Sequence, residues 1–279
     1  MNSSLAIVWL LLYLLAMPIR AESPATGSTD DSIRIHLGAE DSWPPYSDVQ
    51  GQGISTNLIK AAFAKSGLTP TFQVLPYARV LHDLESGRID GGYNVTRQRS
   101  TQHKYLFGEI PLLTVDAYWF FRPDTFTGIQ RIEDIPARFR VGVIRDYEYG
   151  DIYENHRHRF TEIKVTQQSQ IIRMLKQGRI DAAIMFEQEA SYALKQMQWQ
   201  DDAFDKRFLN HQGDVHLAFS HKSPRARWLA QQLDKGLLLL KATGEYDQIV
   251  GIPKKTTVPE NSQEADQSQA QEEPSVQIQ

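Results

Sequence analysis

The chain of 279 residues contains no cysteine. That excludes disulfides, thiolate nucleophiles, zinc–thiolate sites and lipid attachment at an N-terminal cysteine. An exported protein can use disulfides without needing them, so the absence says only that the fold rests on its own core. No apolar run is long enough to span a bilayer. Leu5–Met17 (LAIVWLLLYLLAM) is uncharged but only 13 residues long, against the ~20 that a transmembrane helix requires. Charge of either sign is not in excess: 30 basic and 34 acidic residues leave a formal −4, with no basic field to hold nucleic acid. Familiar catalytic signatures are missing too, with no P-loop, no G-x-G-x-x-G after a strand, no G-x-S-x-G and no H-E-x-x-H. Gly51-Gln52-Gly53 lacks the third glycine and reads as a surface turn. His156 and His158 stand two apart on an expected helix and share no face, so neither a metal nor a cofactor is expected.

The ends of the chain differ in composition from its middle. Leu5–Met17 suits the apolar core of a signal peptide, with Ala21 as the cleavage point and residues 1–21 as the leader. An N-terminal membrane anchor is the alternative. Residues 22–31 read as a short flexible lead-in. The tail, residues 254–279, has no aromatics and is rich in Gln, Glu and Ser, so it is expected to be disordered.

Between the ends, the chain is written twice. Gly-Arg-Ile-Asp occurs at 87–90 and again at 178–181. At the same offset of 91 positions Phe72 falls on Ile163, Val74 on Val165, Val80 on Ile171, Leu81 on Ile172 and Leu84 on Leu175. Each copy has an alternating strand (Thr71–Leu75, Glu162–Thr166), then apolar residues at helical spacing, then a glycine suited to a left-handed C-cap. A second strand follows at once, Ile89–Tyr93 or Ile180–Met185. Joints this short imply parallel strands with a right-handed crossover. The fold class is therefore α/β, with two Rossmann-like lobes. Further strands are expected at Ile33–Leu37, Leu112–Phe121, Phe139–Ile144 and Val215–Ser220, and helices around Leu58–Phe63, Ala190–Gln196 and Trp228–Leu240. Ser55 or Thr56 is the expected cap of the first helix. The chain crosses between lobes twice, near Trp119–Arg122 and Gly213–Leu217, which makes a two-strand hinge. The lobes divide as 32–120 for the first, 121–213 for the second, and 214–253 for a segment returning to the first.

An open α/β sheet binds its ligand past the carboxyl ends of its strands. Those places hold Ser42, Trp43, Pro44, Pro45 and Tyr46, then Pro76, Tyr77 and Arg79, then Asn94, Thr96, Arg97 and Arg99. In the second lobe they hold Asp146, Tyr147 and Glu148, then Phe186, Glu187 and Glu189. Aromatic walls with a few aimed polar groups suit a small-molecule cleft, and an arginine beside hydroxyl and amide groups can fork a carboxylate.

The segments EDSWPPYS (40–47), GISTNLIKAAFAKSGL (53–68), LESGRIDGGYNVTRQRS (84–100), FRVGVIRDYEYGD (139–151), LKQGRIDAAIMFEQEA (175–190) and ATGEYDQIVG (242–251), in this order and spacing, resemble the family 3 extracytoplasmic solute-binding proteins. These are the polar-amino-acid receptors of ABC importers, and the resemblance runs from about Ile33 to Pro253. It implies the periplasmic binding protein type II fold. It also implies that Arg99, closing Asn94-Val95-Thr96-Arg97-Gln98-Arg99, holds a ligand carboxylate, with Asn94 where the family has serine. Trp43 corresponds to the aromatic that covers the ligand. Two second-lobe features depart from the family: Asp146-Tyr147-Glu148 replaces a Gly-Thr-Thr-type helix start, and Phe186 stands at the aspartate that meets the ligand amino group. Glu187, one residue on, would point to the other face of a regular strand.

The reading is a periplasmic, monomeric solute-binding protein that closes on a small polar ligand, amino-acid-like and carboxylate-bearing. It would serve an ABC permease or a membrane sensor. Arg99, Asn94 and Thr96 would anchor an anionic group, Trp43, Tyr46 and Tyr77 would wall the cleft, with Tyr147 facing them from the second lobe, and Arg79 and Glu187 would set selectivity. No catalytic residue is assigned. The alternative is a periplasmic enzyme on the same scaffold, similar to cyclohexadienyl or arogenate dehydratases, with Glu187 or Glu189 as general acid. A third is a binding fold kept for protein contact alone.

Overall fold

The computed structural model describes residues 34–251. The expected leader (1–21), lead-in (22–31) and tail (254–279) lie outside the described residues. The first lobe contains β1 (Ile35–Glu40), α1 (Ile54–Ala64), β2 (Pro70–Leu75), α2 (Tyr77–Ser86) and β3 (Gly91–Thr96). After β4 (Leu106–Phe107) and β5 (Leu113–Phe121) comes the second lobe: β6 (Arg140–Ile144), α3 (Gly150–His156), β7 (Thr161–Val165), α4 (Gln168–Lys176), β8 (Ala182–Phe186) and α5 (Glu187–Gln196). The chain ends its described part with β9 (Asp205–Phe219), α6 (Ala226–Thr243) and α7 (Glu245–Val250).

One continuous sheet runs β2-β1-β3-β9-β5-β8-β6-β7, with β4 added beside β9. Read from either end the order is the same, an outer strand, the first strand of a βαβ unit, then its last strand. Within each unit the strands are parallel. The two long strands in the middle, β5 and β9, are antiparallel to each other and to their neighbours.

The repeated tetrapeptide has a repeated mechanical role. Gly87, at φ +78°, and Gly178, at φ +68°, take the left-handed turn that stops each helix. Ile89 and Ile180 then enter slots opened by glycines in the neighbouring strand. A side chain at Gly38 would put its Cβ 2.8 Å from Ile89 and 2.9 Å from Val80. At Gly142 it would lie 2.5 Å from Ile180 and 3.2 Å from Ile171. The 91-position offset superimposes Ile89 on Ile180 and Val80 on Ile171. Asp90 and Asp181 accept the strand N–H of His36 (3.0 Å) and Arg140 (2.9 Å), continuing each ladder by one bond.

Three local expectations need correction. Ser55 and Thr56 do not cap α1, since Gly53 precedes its first turn and both are buried within it. Thr56 instead donates to the Gly51 carbonyl at 2.9 Å and pairs with the Tyr93 hydroxyl at 2.6 Å. The return strand is 15 residues long rather than six, because β5 supplies a partner for its polar first half. Finally, the change of neighbour falls earlier along β5 than Trp119–Arg122. β8 joins β5 from Ala117 onward and β3 joins β9 from Val215 onward, while Leu113–Asp116 face only β9 among the named strands. Helix α6 lies against α1, where Gly236 meets the backbone of Ala62; Trp228 at its start is partly exposed. No helix among the described residues is long and apolar enough to cross a membrane.

Candidate functional site

The carboxyl ends of β1, β3, β6 and β8 meet in a layer of aromatic rings between the lobes. Trp43 lies 4.4 Å from Tyr46 and 5.1 Å, edge-on, from Phe186 of the second lobe. Tyr77 and Tyr147 meet edge-on at 5.4 Å across the same seam. Tyr149 stacks on Phe186 at 5.8 Å. The edge-on contacts among these are a favoured geometry for rings with negative faces and positive edges.

Three carboxyls are sealed into this layer. Glu40, the last residue of β1, is 1% exposed and accepts a hydrogen bond from the Tyr147 hydroxyl. Burial pushes its pKa up to about 8, against the opposing pull of the Tyr147 hydroxyl and the nearby Asn94 amide. Glu148 accepts from the Tyr77 hydroxyl at 2.6 Å. It too is pushed up to about 8 by burial, although Tyr77 and the backbone N–H groups of Glu148 and Thr96 favour its charged form. Glu189 projects from the first turn of α5 and is 1% exposed. Burial first, and the neighbouring Glu40 second, hold it well above the carboxylate range. The Trp43 indole N–H faces it closely enough to oppose that shift, but not in hydrogen-bonding geometry, so Trp43 Nε1 and both Glu189 oxygens stay unpartnered.

Asn94 sits at an irregularity in the β3–β9 pairing, between Tyr93 and Val95, with φ at +67°. Asparagine is one of the few side chains that adopt this region readily. The kink turns its amide into the layer, where both amide atoms are buried without a hydrogen-bond partner although the side chain lies beside Glu40.

Of the residues singled out from sequence, Trp43, Tyr46, Tyr77, Asn94, Thr96 and Tyr147 are all buried in or beside this layer. Three lie outside it. Arg79 is exposed on α2 and pairs with Asp83 at 3.0 Å, an i,i+4 contact that Arg88 shares. Arg99 is exposed at the rim, and its backbone N–H reaches Asp151 of the second lobe at 3.2 Å. Glu187 is half-buried and pairs with Lys206 of β9. Glu40 was missed as a site residue, although EDSWPPYS begins with it. Its signal is a charged residue ending a strand that is otherwise buried at its final positions.

Beside the aromatic layer opens a recess of about 510 Å³, between Leu81, His82 and Glu85 of α2 and Arg157, Glu162 and Lys164 of the second lobe. Tyr147 and Glu148 line it as well, so it adjoins the seam. Its volume lies in the range of small-molecule sites, roughly 300–1,000 Å³. Its charges largely cancel in pairs, Lys104 with Glu85 and Arg157 with Glu154 and Glu162.

No protein-family model matches the chain. No curated protein is detectably similar to it in sequence. Solved structures do match. A histidine kinase sensor domain described as similar to periplasmic binding proteins aligns with a TM-score of 0.66 at 21% identity, over 78% of this chain and 94% of that one. An ancestral arginine-binding protein bound to arginine aligns at 0.64 and 21%, over 78% and 96%. An ancestral amino acid-binding protein described as a precursor of cyclohexadienyl dehydratase aligns at 0.62 and 18%, over 78% and 93%. At these identities the likeness is one of architecture: the chain has the two-lobed α/β fold of periplasmic amino acid-binding proteins.

Proposed function

We propose that the protein is a periplasmic solute-binding protein whose lobes close on a small, amino-acid-like ligand at the aromatic seam. One observation carries the reading. The Trp43 indole N–H, the Asn94 amide and the Glu189 carboxyl are buried together without hydrogen bonds, where more than about nine in ten buried polar groups are paired. Donors and acceptors collected in one layer between two lobes are what a polar ligand satisfies. A protonated amine suits Glu189 and Glu40, beneath the Trp43 ring. A carboxylate at the other end of the ligand would meet Asn94, Thr96 and, once its side chain swings inward from the rim, Arg99. Contacts from both lobes favour the closed arrangement, which a membrane partner, an ABC permease or a sensor, then recognises.

A thermal-shift screen of the full-length chain against amino acids, di- and polyamines and small carboxylates tests this. A ligand at 100 times its Kd stabilises the folded state by about 2.7 kcal/mol. The expected result is at least one hit, lost in both Arg99→Ala and Glu189→Gln. No shift across the library would remove the reading. A second reading has its own observation: Glu189 is a carboxyl 1% exposed beside the seam, whose pKa burial raises in the direction a general acid needs. Recovering the ligand unchanged after long incubation, checked by NMR, separates binding from turnover.

A further inference from the structure

The segment 146–148, just past the end of β6, sends two side chains across the seam. Tyr147 of the second lobe donates its hydroxyl hydrogen to Glu40 of the first. Tyr77 of the first lobe donates to Glu148 of the second at 2.6 Å. The arrangement is reciprocal, with each lobe contributing one tyrosine and one glutamate, and the two tyrosine rings pack edge-on against each other at 86°. All four residues are buried. Around them lie two backbone contacts, one donated from each lobe: Gly150 N–H donates to Gln98 Oε1 at 3.0 Å, and Arg99 N–H to Asp151 at 3.2 Å.

We propose that the Tyr147–Glu40 and Tyr77–Glu148 hydrogen bonds are a latch, which holds the two lobes together through the protein's own side chains. A solute then competes with Tyr147 for Glu40 instead of entering a ready-made cavity. Hydrogen bonds to a carboxyl in water-excluded surroundings are stronger than exposed ones, and breaking one strands a buried polar group. Two such bonds, one donated from each lobe, resist opening, since moving the lobes apart lengthens both. Burial supports the arrangement, because Glu40 and Glu148 are held largely protonated near neutral pH and so can share the seam without full repulsion. The charged groups that face them are Glu189 and Asp41 around Glu40, and Glu154 near Glu148.

The competition with a solute rests on the binding reading above, but the latch itself does not. Its test therefore uses the full-length protein with no solute added. Small-angle X-ray scattering and hydrogen–deuterium exchange are compared for the wild type and the double variant Tyr77→Phe/Tyr147→Phe, which keeps both rings and removes both hydroxyls. The latch predicts a larger radius of gyration in the variant, and exchange at Gly150 and Thr96 faster by about tenfold, the factor equivalent to ~1.4 kcal/mol. An unchanged radius with unchanged exchange would overturn it. Should the double variant lose its helical circular dichroism, Tyr77→Phe alone is measured, with the same two outcomes. A latch without any solute hit, or a hit without a latch, would each leave the other conclusion standing.

Discussion

Titrating the protein from pH 6.5 to 8 measures how strongly Glu40 and Glu148 are held neutral by burial. Both have pKa values raised from 4.5 to about 8 in the folded protein. The folded state therefore keeps two protons that the unfolded chain releases above pH 4.5. Their contribution to stability is fully present below pH 4.5 and is lost as the pH rises through 8. Below 6.5 two histidines act in the opposite direction. Burial lowers His211, and lowers His216 to about 4, so their contribution is present above pH 6.5 and lost as the pH falls. The window from 6.5 to 8 thus isolates the carboxyls, and Glu189, raised by burial and by Glu40, adds the same sign. Each carboxyl changes the stability by about 1.4 kcal/mol per pH unit, hence about 2 kcal/mol over the window and roughly 4 for the pair. For a chain of this size about 1 kcal/mol moves the midpoint by ~2–4 °C. Differential scanning calorimetry at constant ionic strength should show Tm falling by roughly 10 °C across the window. Glu40→Gln and Glu148→Gln should each flatten the slope by about half. A flat wild-type profile, or a slope undiminished in the double glutamine variant, would refute the assignment of buried, neutral carboxyls, since only the part due to Glu189 should remain.

Other outcomes follow from packing. Gly236→Ala should stabilise α6 by about 1 kcal/mol if helix propensity alone decided, yet the new methyl would collide with the Ala62 carbonyl of α1. Net destabilisation of about 1–3 kcal/mol is expected in urea unfolding, and a gain in stability would show that the two helices separate freely. Trp43→Ala removes a 2% exposed ring from the seam and should cost about 3–5 kcal/mol, whereas Arg99→Ala, at an exposed position, should stay within about 0.5 kcal/mol of wild type. The same denaturation series checks both, and a large loss at Arg99 would mean that its side chain already holds the lobes together.

The architecture was legible because it is carried by local, repeated interactions. Gly-Arg-Ile-Asp is a turn, a slot-filling isoleucine and a strand-capping aspartate, each acting within one βαβ unit, so the letters and the packing repeat together. The first half of β9 was not legible, because nothing in Asp205–Asp214 alternates clearly. Its strand character comes from β5, and it carries two register shifts, at Arg207 and Asn210. Asn210 uses its shift to accept from Trp119 Nε1 at 3.0 Å and to donate to the Tyr149 carbonyl at 2.7 Å, partners 91 and 61 residues away. The acidic side of the site failed for a related reason. Strand alternation says correctly that Glu187 does not follow Phe186 into the seam, but the strand ends at Phe186 and α5 begins at Glu187. Beyond that point each residue turns by about 100° rather than 180°. Glu187 goes out to Lys206, and Glu189 comes back under Trp43. The same change of period sets Tyr77 apart from Arg79 at the start of α2, one inside the seam and one out on the helix surface with Asp83. In both lobes the residues that face the seam are chosen where a strand hands over to a helix. A pattern read with one period on both sides of that joint will name the right segment and the wrong side chain.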